Sequence, residues 1–540
     1  MSRPIRHALL LGLAGALALP AVGSAAVGDV TEFPVTGGGP QAITSGPDGN
    51  LWIGQYTEVL PTTNSLSGIG RITPSGTFTG FTAGIPNDSA PLSIASGPDG
   101  NLWFTEAFNP VPALARSTTA GAVTPVSTFP VPANAYAQAV IAGPDGNMWL
   151  SIVGSVVRAT TGGTVSTFAL PGAVTLLTGL AAGSDGNVWG IAGGEDALTR
   201  TTPAGVTVIA STFAAGSNPG AITSGPDGNL WVTLRGTTPP AIARITTSGT
   251  VTTFPVTSGA TRLKGITSGP DGNVWFTEED SGRVGRITPS GQVTEYVIPR
   301  SGATPLGITA GPDGNVWYAD PGGRVGRVLT GVVPTGVTAP SVSGRPKVGT
   351  VLTVSNGTWK YLPTGHAYSW QRCTSAAGAG CVAISGATSS SYTVTTADIG
   401  RFLIASVVAS NSNGASAASI APAVQVAAVP RLAVTWSRTT TKRKKATVTG
   451  LVTLRSGVTG YRMNAVLTSG PNAYRSDANT RSGRCVRVKV KVGPKTAKKP
   501  RTVARQRCSI TLPVGAWTVS VEGSRGPELM GFTSKAYRIR

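Results

Sequence analysis

Through the first 330 residues, short apolar stretches alternate with polar turns, and no stretch carries the 3.6-residue period of an amphipathic helix. One unit shows the plan. Ile43-Thr44 is a short strand, Pro47-Asp48-Gly49-Asn50 a tight turn and Leu51-Trp52-Ile53 the hairpin partner. GRITPSG around Arg71 predicts a third strand and turn, and segments such as VSTFPV, VTTFPV and VTEYVI predict a fourth. The unit returns at Trp52, Trp103, Trp149, Trp189, Trp231, Trp275 and Trp317, with spacings of 51, 46, 40, 42, 44 and 42 residues. Four short strands on a period in the forties make a propeller blade, so residues 27–332 are expected to form a seven-bladed β-propeller.

The repeated residues suit architecture before chemistry. Proline presets φ, aspartate hydrogen-bonds its own backbone and glycine accepts positive φ, which together make a tight turn. A calcium loop would need acidic neighbours at alternating positions, and GPDGN has none. The tryptophans are expected to pack between adjacent blades. The seventh unit runs through Gly326-Arg327-Val328 with no fourth strand after it, whereas Val30-Thr31-Glu32-Phe33-Pro34-Val35 stands unused at the front. That segment is expected to complete the last blade and remove an exposed edge.

Beyond the propeller the pattern changes. Residues 333–428 carry short alternating strands with Trp370 and Tyr392, and resemble the immunoglobulin-like β-sandwich modules of exported bacterial proteins. Residues 429–540 form a further strand-rich module, expected to be a small β-sandwich. Charge separates it from the rest: residues 431–540 hold 24 Lys and Arg against three acids, which accounts for the whole net charge of +21. KRKK at 442–445 and the basic run at 495–507 read as exposed loops. An anionic cell-wall polymer or surface suits them; nucleic acid is not expected, because aromatics for base stacking are not interleaved. The four cysteines fall as local pairs, Cys373 with Cys381 and Cys485 with Cys508, for which disulfides are preferred over zinc. Residues 1–26 have a basic head, a short apolar run and small residues before Ala26, the form of a secretion signal. A secreted, envelope-associated monomer is the expectation.

The seven GPDGN-x-W units, with their GRITPSG and VTEF strands, resemble the streptogramin lyase (virginiamycin B lyase) family of seven-bladed propellers over roughly residues 29–329. The resemblance implies elimination chemistry on a cyclic depsipeptide, a histidine near the central opening and a magnesium ion. This chain departs from it: its only histidines are His7 and His366, and Gly39-Pro40-Gln41 stands where lyase-like repeats often read Gly-Pro-His.

Hairpin geometry gives the candidate site. The residue entering a blade's first strand and the residue leaving its second should rim one mouth of the channel. The first set is Gln41, Leu92, Gln138, Thr178, Gly220, Lys264 and Leu306; the second is Gln55, Glu106, Ile152, Ala192, Leu234, Glu278 and Asp320. Gln41, Gln55, Glu106, Gln138, Lys264, Glu278 and Asp320 are the polar members and the candidate ligand-binding residues. Lys264, Glu278 and Asp320 form the sharpest cluster, as a ligand or cation site or as a salt-bridged rim. The expected function is an exported binding or scaffold protein that takes a small molecule, peptide or glycan. The alternatives are a metal-assisted carbon–oxygen lyase working without histidine through Glu278, Asp320 and Lys264, and an inert structural wheel.

Overall fold

The computed structural model describes residues 26–57, 66–86, 89–106, 114–126, 137–172, 174–257, 259 and 262–427, together with backbone strands between 434 and 539. The secretion-signal segment falls outside these residues, except for Ala26, as do 442–444 and 495–500 of the two basic runs; the described remainder of those runs lies in the strands Lys445–Thr453 and Arg501–Leu512, not in loops. Among the described residues, no helix is long and apolar enough to cross a membrane. The chain divides into two compact units, the first built on residues up to Val337 and the second on most of the residues after it.

Seven four-stranded antiparallel sheets make up the first unit. In blade 1 the strands are Pro40–Ser45, Leu51–Thr57, Leu66–Ile72 and Phe78–Phe81, each paired with the next. The first strands of successive blades lie against one another around the whole circuit, and that of blade 7, Ile308–Ala310, returns to Pro40–Ser45. This closes the ring. The closing strand is the expected one: Val30–Pro34 pairs antiparallel with Arg324–Val328, Val30 opposite Val328 and Pro34 opposite Arg324. Phe33 then stacks on Trp317 with centroids 5.4 Å apart. In blade 2 the described fourth strand is Val123–Pro125, and the expected VSTFPV lies outside the described residues except for Val126.

The repeat residues hold this ring together. Trp52 is buried among Ile94, Leu102 and Phe104 of blade 2, and each later tryptophan sits likewise in the core of the following blade, with Trp317 against Ile43 and Leu51 of blade 1. Asp48 is consumed locally. Its Oδ1 accepts from Trp52 Nε1 at 3.1 Å, and its Oδ2 accepts from Asn50 Nδ2 at 2.8 Å. For Asp99, Asp145 and Asp227 burial opposes the charge, but bonds from the neighbouring Asn and Trp overcome it and hold the carboxyls below their usual range. Glycine is required where the turn closes: a Cβ on Gly46 would lie 2.3 Å from the Trp52 ring. The turn is carpentry.

A second interblade tie comes from the third-strand arginines. Arg71, Arg116 and Arg158 donate to carbonyls of the next blade's outer turn at 3.2, 3.0 and 2.7 Å, and Arg327 crosses the closure to Pro74 O at 3.1 Å. Each lies over aromatic rings of its own blade, as Arg116 does 5.6 Å from Trp103. The same unit includes Ala409–Ala417, where Asn413 Nδ2 donates to Asn315 Oδ1 at 2.8 Å and covers the last repeat turn.

The second unit is also all β. A three-stranded sheet joins Val342–Ser343, Val351–Val354 and Ser391–Thr393, and Gly365–Cys373 belongs to a six-stranded one. Trp370 is buried and stacks on Tyr392, whose hydroxyl donates to Asp398 Oδ2 at 2.8 Å. Cys373 and Cys381 form a disulfide. In the basic module seven antiparallel strands succeed one another in a single hydrogen-bonded series, in which Cys485 is the direct register partner of Cys508.

Candidate functional site

At one mouth of the ring the first strands begin and the second strands end. The residues entering the first strands are accessible there: Gln41, Gln138 and Lys264 are half-buried and Thr178 is exposed. The residues three after each tryptophan are different. Gln55, Glu106, Ile152, Ala192, Leu234, Glu278 and Asp320 are all exposed by 3% or less. The cause is strand alternation. Trp275 faces blade 7, so Phe276 and Glu278 point to the opposite face, where Phe276 packs with Trp231 of blade 5. Both faces of a blade are covered, and the outward side chain is one position further on.

Gln55, Asp320 and Glu278 are each held by neighbouring groups. Gln55 Nε2 donates to Gly38 O at 2.8 Å and Thr36 O at 3.0 Å. Asp320 accepts from Arg300 Nη2, from Gly322 N at 2.8 Å, and from Thr304 N and Oγ1 at 3.1 and 3.2 Å. Arg300 also meets Glu32 of the closing strand at 3.2 Å, and Tyr318 donates its hydroxyl to Glu32 at 3.2 Å. Burial, then the charge of Glu32, pushes the Tyr318 hydroxyl well above its ordinary range.

Glu278 is the equivalent of Asp320 in blade 6, and Glu295 the equivalent of Glu32, since Gly285 opposes Glu295 as Gly326 opposes Glu32. The surroundings differ. Phe276 takes the place of Tyr318, and Glu278 meets Ser281, whose hydroxyl donates to Oε2 at 2.6 Å, and Arg283, its register partner. Burial first, then the bond to Glu295, raises the Glu278 carboxyl to about 7. Glu278 thus faces Glu295 where blade 7 inserts Arg300 between Asp320 and Glu32.

Lys264, Glu278 and Asp320 therefore do not act as one cluster: Glu278 and Asp320 turn into separate seams, and the carboxylate partner of Lys264 is Glu279. Lys264 Nζ lies 3.3 Å from Glu279 Oε2, and Arg262 Nε lies 3.1 Å from the same oxygen. Beside them Arg235 donates from Nη2 to Asn218 Oδ1 at 3.1 Å. Burial, then the nearby charge of Arg262, lowers the Arg235 guanidinium from its usual range, and Glu279 offsets part of this. Counting three from tryptophan missed Arg235 and Glu279, because each stands four after Trp231 or Trp275. Magnesium, implied by the resemblance, needs converging oxygen ligands. Among the described residues no three His, Cys, Asp or Glu side chains converge to hold a metal ion, so no step is derived through one.

The model of the virginiamycin B lyase family matches residues 21–210 and 210–355. Among solved structures, selenomethionine-substituted virginiamycin B lyase from Staphylococcus aureus is 27% identical, covering 56% of this chain and 99% of its own, with a TM-score of 0.49. A catalytically inactive virginiamycin B lyase from Staphylococcus aureus, with quinupristin, is 28% identical at the same coverage and TM-score. A streptogramin B lyase is 26% identical, covering 56% of this chain and 97% of its own, with a TM-score of 0.48. No curated protein matches the chain.

Proposed function

The chain belongs to the virginiamycin B lyase family, and from that premise we propose that its propeller is a ligand-binding platform and not a lyase. The observation that carries this reading is the state of the acids. A general base has to reach the proton it removes, yet Glu278 and Asp320 are fully buried in interblade seams and Asp320 is saturated with donors. No histidine occurs between residues 8 and 365 to replace them. Accessible charged groups at the mouth include Arg262 and Lys264, suited to holding a ligand.

The remaining modules fit an exported scaffold. Residues 1–26 have the pattern of a secretion signal, the immunoglobulin-like strands around Trp370 would act as a spacer, and the excess of Lys and Arg in 431–540 would hold the protein on an anionic envelope polymer. A thermal-shift screen of peptides, glycans and small anions tests the platform. Stabilisation by a compound, lost on substituting residues at the mouth, supports it; a complete lack of response favours an inert wheel. Retention on an anionic resin that vanishes between about 50 and 300 mM salt supports the anchoring role, and no retention removes it.

A further inference from the structure

The ends of the second strands in blades 5 and 6 are equivalent positions, and they carry opposite charges. Leu234 opposes Pro219, and the Arg235 amide continues that ladder to Asn218 O at 3.2 Å. Glu278 opposes Leu263, and the Glu279 amide continues to Arg262 O at 3.0 Å. Arg235 and the Arg262–Glu279 pair therefore emerge side by side at the mouth. Lys264 enters between the blades, its carbonyl accepting from Thr233 Oγ1 of blade 5 at 3.3 Å. Two cations thus meet Glu279 with Arg235 beside them, and Asp280 accepts from the Arg262 amide at 3.3 Å. Arg262 and Lys264 both lean on a single oxygen of Glu279, and their side chains remain 59% and 27% exposed.

A simple salt bridge would pair one cation with one carboxylate, whereas here Arg262 and Lys264 share a single carboxylate oxygen and Arg235 is held by the neutral amide of Asn218. Arginine offers five N–H donors in a planar fork and lysine three, far more than Glu279 Oε2 and Asn218 accept. Such an arrangement suits an oxyanion that bridges both blades. We infer that Arg235, Arg262 and Lys264 form a receptor for the oxyanion group of a ligand, a carboxylate or a phosphate, with Glu279 holding the blade 6 cations in position. This deepens the platform reading and rests on it.

The test is calorimetric titration of the full chain at low salt with inorganic phosphate and, separately, with citrate. Because residues 431–540 also attract anions, the control is a chain in which Lys442, Arg443, Lys444 and Lys445 are changed to serine. Arg262→Gln with Lys264→Gln, and independently Arg235→Gln, should each weaken the better anion at least tenfold, and the serine control should leave that affinity unchanged. Glu279→Gln should tighten it at least threefold by releasing two cations. The better of the two probes shows whether carboxylate or phosphate is the group recognised. Equal binding by the wild type and all the glutamine variants overturns the inference, as does failure of the wild type to bind either anion. A neutral peptide or glycan whose stabilising effect survives Arg262→Gln with Lys264→Gln would also remove the oxyanion receptor while leaving the platform intact. If neutral and anionic compounds alike have no effect, the platform reading fails too.

Discussion

The acid pair of blade 6 gives the propeller a pH dependence that one substitution should abolish. Glu278 is completely buried and faces Glu295 across the sheet, with Ser281 and Arg283 as its other polar neighbours. Burial first, and then Glu295, raise its carboxyl from 4.5 to about 7. That difference in proton affinity corresponds to about 3 kcal/mol. A carboxyl raised on folding is most stabilising while protonated: its contribution is complete below about pH 4.5, declines above that and is lost as pH passes through about 7. Glu278→Gln keeps the shape and removes the ionisation. At pH 8 the propeller of the variant should melt about 5 °C higher than the parent, taking about 0.6 kcal/mol/K for the unfolding entropy of a domain of about 300 residues. At pH 4 the two should coincide. Differential scanning calorimetry across pH 4 to 9 measures this directly. A variant that melts lower by the same amount at every pH would refute the raised Glu278 carboxyl and make it an ordinary packing residue.

Arg300→Met would leave Glu32 and Asp320 facing one another as Glu278 and Glu295 do. Removing one partner from such a buried network typically costs about 3–5 kcal/mol, and a new decline in stability between pH 5 and 8 should appear in urea melts. Deleting residues 27–36 uncovers Trp317 and removes Phe33 and Val35 from the core. At about 1.5–3 kcal/mol for each buried side chain, the melting temperature should fall by several degrees or more, and an unchanged melt would refute the closure. Because Asp99, Asp145 and Asp227 hold their carboxyls low, their contribution is present above about pH 4 and lost as pH falls through their lowered values. Asp99→Asn should therefore flatten the acid limb of the stability profile and destabilise the protein at pH 7. Peptide mapping without reductant should recover Cys373 linked to Cys381 and Cys485 linked to Cys508; exchanged pairs would overturn the local pairing.

The wheel was legible because its signals are local and repeated. Tryptophan, turn and alternating strand lie within ten residues, and the strand missing after Arg327 pointed to Val30–Pro34. The mouth was only half legible. In a sheet covered on one face, the residue three after tryptophan would alternate outward; in a blade both faces are covered, so Glu278 and Asp320 turned inward and Arg235 and Glu279 emerged. The arginine ties were not legible, because Arg71 reaches a backbone carbonyl 48 residues away, which leaves no mark on residue type. The acid pairs did leave a trace in the glutamates of VTEF and VTEY, but Arg300, which separates the two cases, lies outside the repeat pattern.

The proposed role is that this propeller binds a ligand and does not open a ring by elimination. Incubating the full chain with a streptogramin B compound and magnesium, and following the intact ring by liquid chromatography and mass spectrometry, tests it most directly. The compound should remain closed over many hours at pH 7 to 8. Linearised product that disappears with Glu278→Gln would contradict it.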